Sequence, residues 1–367
     1  MIPAGCVEQC RGCKHREWSE EESLQQKYNF LAARLAPWSS VLQPVVSVHG
    51  AARWGYRSKV TLSAAYLNSS WLLGMLSRDE LIPIPNCPVH APIINSVASI
   101  LSAVMPPAEE LPLAFIVQSA SQVVMVVRAR QVPDCSWLTP LVETELRSVG
   151  VEGLWLHCNF AAGKRMFEKT PLMLLFGQPR SQDEMELWYG PGAFQQLIPS
   201  LYHQSLAEAA RFLAPDVNHS VVDLYCGTGA SMRQWRRLGA PVLGVELGGE
   251  AVACAGLNVP DAVVLRGACR HRVPQVDRWA MEQREKGQRL LLYVNPPRTG
   301  LEPEVLSWIV DKGRPDRLAY LSCSAGTLAK NLSVLAEHGY RVEQLVPFDF
   351  FPQTIHVECL ALLRRGD

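Results

Sequence analysis

No run of eighteen apolar residues occurs anywhere in the chain, so no membrane-spanning helix is expected. The N-terminus, MIPAGCVEQCRGCKHREW, has no apolar leader core, and a cytoplasmic protein is expected. Neither sign of charge is in excess: 35 Lys+Arg balance 35 Asp+Glu. Net charge therefore gives no help in holding a polyanion. Any such hold must come from local patches, for which Arg57/Lys59, Lys164/Arg165, Arg233/Arg236/Arg237 and Arg266/Arg270/Arg272 are candidates. Internal repeats and low-complexity tracts are also missing. Charged residues make up only 19% against 48% hydrophobic, which excludes a disordered chain. With 367 residues there is length for two domains.

Cysteine is plentiful, at 11 residues. In a reducing compartment these should be thiols, metal ligands or nucleophiles rather than structural disulfides. Three fall in the first thirteen residues.

The segment to Trp18 reads as a loop. Ser19 and Glu22 have the spacing of a capping box. Leu24, Tyr28, Leu31 and Leu35 then share one helical face, and Pro37 ends the helix. Residues 45–185 are rich in β-branched residues with short Gly, Ser or Asn breaks, and LAFIVQSASQVVMVVRAR predicts a hairpin turning at Ser119–Ser121. The stretch 182–193 reads as a boundary. We therefore expect a β-rich domain over 1–187 and a second domain over 188–367, with helix 19–36 free to pack on the latter.

From residue 200 helices and strands alternate. Helices are expected at 201–213, 249–257, 275–285, 303–312 and 326–337. Strands are expected at 220–225, 241–246, 262–266, 289–294 and 317–322. Two last strands, 340–348 and 357–364, have no crossover helix between them and should be antiparallel. This alternation predicts an α/β domain whose parallel sheet has helices on both faces.

VVDLYCGTGA (221–230) is a strand entering a glycine turn and a helix, the place where such sheets bind ligands. Asp223, Tyr225, Gly227 and Gly229 belong to this turn, and Glu246 ends the next strand, where a carboxylate can accept hydrogen bonds from both ribose hydroxyls. The turn is G-x-G rather than G-x-G-x-x-G, which favours S-adenosylmethionine over a dinucleotide. VNPPRTGL (294–301) ends the fourth strand of the sheet, where two prolines stiffen a turn that can aim Asn295 at a planar substrate.

LSCSAG (321–326) places Cys323 where the fifth strand gives way to a helix. Alone, such a cysteine is ordinarily a small packing residue. Beside a methyl-donor crevice it is a candidate nucleophile. C5 of a pyrimidine is too unreactive to be methylated directly, and a thiolate adding at C6 turns the ring into an enolate that attacks through C5. The C5 proton must then leave, and Glu358, in an otherwise apolar strand, is the candidate base.

Cys6, Cys10 and Cys13 form C-x3-C-x2-C, and Cys87 lies in IPNCPVHAP. By spacing alone the four suit zinc, an iron–sulfur cluster or unliganded thiols, with His15 or His90 able to replace a zinc ligand.

Taken together, GYRSKVTLS (55–63), PGAFQQ (191–196), DLYCGTG (223–229), NPPRTG (295–300), LSCSAGTLAKNL (321–332) and FDFFPQTIHVECLALL (348–363) resemble, in order, the blocks of the RNA (uracil-5)-methyltransferase family. The resemblance spans nearly the whole chain. It implies a Rossmann-like class I methyltransferase sheet joined to a β-rich domain that holds an iron–sulfur cluster. It implies Cys323 as nucleophile, Glu358 as base, and Gln196, Glu246 and Asn295 as donor- or uracil-contacting positions. It moves the cysteine reading to [4Fe–4S]. An RNA substrate is implied, 23S rRNA before tRNA, because the N-terminal RNA-binding barrel of many relatives is missing; a monomer is expected. Competing readings are methylation of another base and a catalytically silent RNA-binding relative. The chain departs from the family pattern at Ile198 for asparagine, at Ser324–Ala325 after the nucleophile, and at Cys269 for an acid.

Overall fold

The computed structural model describes every residue except Met1, Asp79, Lys164, Arg165, Glu168, Lys169 and Asp367. The Lys164/Arg165 patch therefore lies outside the described residues. The chain forms two compact units: Met1–Glu17 with Gly50–Leu197, and Trp18–His49 with Ile198–Asp367. The first helix, α1 (Glu20–Arg34), thus belongs with the C-terminal half. Its capping box is formed. Ser19 Oγ accepts from Glu22 N at 3.2 Å, and Glu22 Oε2 accepts from Ser19 N at 2.8 Å. Leu31 and Leu35 are fully buried. So is Lys27, one turn earlier on the same face, which the apolar pattern did not predict.

In the first unit seven strands make one sheet: β1 (Lys59–Leu67), β2 (Ser70–Ser77), β3 (Glu80–Pro83), β4 (Leu113–Ser119), β5 (Gln122–Val127), β6 (Gly153–Cys158) and β7 (Met173–Gly177). Their order is β3-β2-β1-β4-β5-β6-β7. The β4–β5 hairpin turns at Ala120–Ser121. Only β5–β6 is parallel, and helix α3 (Pro140–Ser148) lies in its crossover, as a parallel connection requires. Leu101 of α2 (Pro92–Val104) and Leu146 of α3 join Ile116, Met125 and Leu154 of the sheet in one core. The expected boundary stretch holds a small ribbon of β8 (Ser181–Gln182) and β9 (Trp188–Tyr189), and the units part at Leu197/Ile198.

The second unit carries α4 (Pro199–Leu213), β10 (His219–Leu224), α5 (Ala230–Arg237), β11 (Val242–Glu246), α6 (Gly249–Asn258), β12 (Val263–Arg266), α7 (Cys269–Glu285), β13 (Arg289–Val294), α8 (Pro303–Trp308), β14 (Arg317–Ser322), α9 (Ala325–Glu337), β15 (Tyr340–Phe348) and β16 (Glu358–Arg365). The sheet order is β12-β11-β10-β13-β14-β16-β15. The first five strands run parallel, and the last two are antiparallel to their neighbours. The order reverses at β10, which puts a ligand crevice at the carboxyl ends of β10 and β13. Helix α7 begins six residues before the expected 275, because Pro274 is carried inside it rather than before it; the helix forgoes one backbone bond there. The edge strand β15 is covered by residues 42–48. Gln43 N donates to Leu345 O and Val46 N to Pro347 O, both at 2.8 Å. A capped edge cannot template pairing with another chain. Among the described residues, no helix is long and apolar enough to cross a membrane.

Candidate active site

The turn after β10 begins with Tyr225 in the left-handed region (φ 61°) and contains Gly227 and Gly229 at φ 56° and 87°. A side chain at Gly229 would press on Ala255 of α6 at 3.2 Å, whereas one at Gly227 would meet nothing within 4 Å. Gly229 is thus required by packing. Gly227 leaves its backbone open to a ligand. Glu246, at the end of β11, accepts from Gly227 N at 3.1 Å and from Gly248 N at 2.7 Å. Two backbone donors fix its carboxylate at the crevice, with lone pairs left for a diol.

Asp223 is placed differently from its turn neighbours. It is fully buried, and its Oδ2 accepts from the indole Nε1 of Trp235 in α5 at 2.8 Å. Burial raises its carboxyl from an ordinary 3.8 to about 7, against the hydrogen bonds from Ser231 and Trp235. A carboxyl raised by folding gives stability that is complete below about pH 4 and is lost as pH rises through 7. The shift corresponds to on the order of 4 kcal/mol. Asp223→Asn should therefore flatten the fall in stability between pH 4 and 8, as read by denaturant unfolding at several pH values. An unchanged slope would show that Asp223 is ionised in the fold.

Asn295 follows β13, its N–H donating to Leu224 O at 3.3 Å. The N-P-P-R-T-G turn is then pinned to α9. Thr327 Oγ1 donates to Arg298 O at 3.0 Å, and Asn331 Oδ1 accepts from Leu301 N at 3.2 Å and from the buried Tyr320 hydroxyl at 2.9 Å. This anchoring presents Arg298 to Cys323.

Cys323 stands between β14 and α9, half-buried. The β14–β16 register pairs Ser322 with Cys359. Cys323 is the first residue beyond β14 and Glu358 the first of β16, next to that last pair, and the Glu358 charge acts on the Cys323 thiol. Glu358 is 4% exposed. Burial, and then the Glu358 charge, hold the Cys323 thiol above its ordinary range. Arg298 pulls the other way, by charge and by a hydrogen bond to the sulfur, as does the N-terminus of α9. Thiol, carboxyl and guanidinium thus form one group.

Gln196 is buried in the first unit. Ile198 is buried and precedes α4. Cys269 is buried at the start of α7, its thiol pushed up to about 12 by burial, so it is an inert group. Glu302, which the motifs did not mark, reaches this end of the sheet: its Oε2 accepts from Tyr225 Oη at 3.0 Å and from Arg270 N at 3.3 Å. Its only sequence signal is a position two residues beyond the N-P-P-R-T-G turn.

In the first unit Cys6, Cys10, Cys13 and Cys87 line one cavity with Trp54 and Ile84. Arg16 stitches the loop, donating to Val7 O at 3.1 Å, Cys10 O at 2.7 Å and Glu8 O at 3.1 Å. The backbone N–H groups of Val89 and His90 lie beside Cys87 and favour its thiolate against burial, while His90 N donates to the Cys87 carbonyl at 3.1 Å. Among the described residues, no group of three or more His, Cys, Asp or Glu side chains is placed to hold a metal ion.

Residues 279–366 match the family described as tRNA (Uracil-5-)-methyltransferase. The chain is 26% identical to the 23S rRNA (uracil(747)-C(5))-methyltransferase of Yersinia pestis over 96% of both chains. It is likewise 26% identical to the 23S rRNA (uracil(1939)-C(5))-methyltransferase of Shewanella baltica, over 96% of this chain and 79% of that one. In fold it is similar to the Pyrococcus abyssi tRNA (uracil-54, C5)-methyltransferase crystallised with S-adenosyl-L-homocysteine. The TM-score is 0.70 at 18% identity, over 96% of this chain and 86% of that one.

Proposed function

We propose that this chain, an enzyme of the RNA (uracil-5-)-methyltransferase family, methylates C5 of a uridine in 23S rRNA. The observation that carries this reading is Cys323, directly after β14, with the Glu358 carboxyl and the Arg298 guanidinium acting on its thiol at the carboxyl end of the sheet.

Glu246 and the open backbone at Gly227 would hold the ribose and neighbouring parts of S-adenosylmethionine, which when bound supplies an electrophilic methyl group. Cys323 adds to C6 of the flipped-out uracil, and the C5–C6 π pair moves toward C4–O4 as an enolate. Arg298 favours the thiolate that this addition needs. C5 would take the methyl group with its own electron pair, the pair of the broken sulfur–methyl bond staying with the departing S-adenosylhomocysteine. Glu358 then accepts the C5 proton, the C5–C6 double bond re-forms, and the sulfur–carbon pair returns to Cys323.

Cys6, Cys10, Cys13 and Cys87 would hold a [4Fe–4S] cluster. Four thiols around one cavity, with N–H groups at Cys87, suit a cluster, whose ligands stand farther apart than those of a single ion. It would tie the N-terminal loop to the sheet through residue 87. No step of methyl transfer passes through it.

The preference for 23S rRNA over tRNA rests on rRNA-modifying relatives 26% identical to this chain, against 18% for the tRNA enzyme of similar fold. The test is methylation of 23S rRNA and of tRNA transcripts by the purified protein, with digestion to nucleosides and mass analysis. We expect 5-methyluridine from 23S rRNA. The same nucleoside from tRNA alone would move the target, and a methyl group on any other atom would end the reading.

A further inference from the structure

We infer that Lys27 of α1, through its buried ion pair with Asp349, is a positioning residue for Glu358; this rests on Glu358 being the base. Both side chains are fully buried, and Lys27 Nζ lies directly against Asp349 Oδ1. Nζ also donates to the carbonyl of Phe351 at 3.1 Å. That carbonyl accepts in addition from Thr354 N at 3.2 Å and Thr354 Oγ1 at 2.8 Å. Thr354 Oγ1 in turn accepts from His356 N at 3.1 Å. From the far side, the single Ser47 Oγ proton is shared between Val48 O at 2.9 Å and Asp349 Oδ2 at 3.2 Å, and Asp349 N donates to Val46 O at 2.8 Å.

These bonds define what the pair controls. β15 and β16 are paired up to Phe348 and Glu358, and residues 349–357 are the excursion between them. Lys27 grips the first residue of that excursion and the carbonyl at its turn. The turn runs on through Thr354 and His356 to Glu358, whose carboxyl must meet a proton on a substrate atom. Helix α1 does not need a charge for anchorage, because Leu31 and Leu35 already bury its face. Apolar residues at both 27 and 349 would serve packing as well, since a buried ion pair is often no more stable than an apolar replacement of the whole pair. What a buried ion pair adds is directional geometry, and a base displaced by about 1 Å can lose about a hundredfold in rate.

The test separates proton removal from the earlier steps. On RNA carrying 5-fluorouridine at the target, the covalent methylated adduct forms without proton removal. On RNA carrying [5-³H]uridine, tritium release requires it. For Lys27→Met we expect adduct formation within about threefold of the parent and tritium release slowed about tenfold or more. The methylated covalent complex should then accumulate on ordinary RNA. Lys27→Arg, which keeps the charge, should recover most of the release rate. Equal losses in both assays would reduce Lys27 to a structural residue, and no loss in either would dismiss it. Should Lys27→Met fail to fold, Ser47→Ala is read the same way, with a selective loss of about threefold expected and an unchanged ratio overturning the inference. Glu358→Gln is run in parallel. If it releases tritium normally, the base assignment falls. If it traps while the Lys27 and Ser47 variants keep the parent ratio, only this inference falls.

Discussion

Cys323→Ala should bind RNA and methyl donor and yet yield no 5-methyluridine. Without the sulfur, C5 of uracil has no route to carbanion character, and turnover should drop by about 10⁴-fold or more, to background. The adduct with 5-fluorouridine RNA should vanish with it, since in the proposed mechanism the bond that holds protein to RNA is the Cys323–C6 bond. Stability should change little, within about 1 kcal/mol, because the side chain is small and half-buried. The check is a denaturing gel for the adduct beside nucleoside analysis for the product. Measurable methylation by the alanine variant would remove the covalent mechanism and leave the fold.

Glu358→Gln should have the opposite signature. Attack and methyl transfer proceed, but nothing takes the C5 proton, and the protein stays bonded to methylated RNA. General-base removal contributes about 10²–10⁴-fold, and turnover should fall by that amount. A second consequence follows from the electrostatics. The Glu358 charge is among the causes that hold the Cys323 thiol up. Neutral glutamine removes that cause, while burial continues to raise the thiol and Arg298 to lower it. The thiolate fraction at pH 7 therefore rises. Adduct formation with 5-fluorouridine RNA should be as fast as in the parent or faster near pH 7, with its pH profile moved to lower pH. Slower adduct formation at every pH would show that Glu358 assists the attack and does more than accept the proton.

The parts of the fold readable from the chain are those set by short-range chemistry. Ser19 and Glu22 close a capping box within one helical turn, and a four-residue pattern suffices to predict it. The alternation from residue 200 onward predicts the parallel sheet because each strand and helix carries its own period. The glycine turn at 227–229 and the cysteine just after β14 are visible for the same reason: a turn type and a candidate nucleophile are properties of a few adjacent residues.

Several features are not local and could not be read that way. Asp223 belongs to the same motif as Gly227, yet it turns into the core to meet Trp235, and its ionisation follows from that burial rather than from its motif. Lys27 sits on an apolar helix face, and nothing in its neighbourhood announces Asp349, more than three hundred residues on. Pro274, a residue that ordinarily starts or ends a helix, lies inside α7 because packing outweighs one missing backbone bond. The cysteines at 6, 10, 13 and 87 suggest a common site by spacing, but their arrangement around a single cavity is a product of the first unit's packing.

Residue types and their periods were enough to predict an α/β chain with a crevice after the first strand of its parallel sheet, a thiol after the fifth and a carboxyl in the last. Only folding decided that the carboxyl stands close enough to act on the thiol, because the β14–β16 register, which pairs Ser322 with Cys359, is chosen by the burial of whole faces, and a slip of one residue would turn Glu358 to the other face.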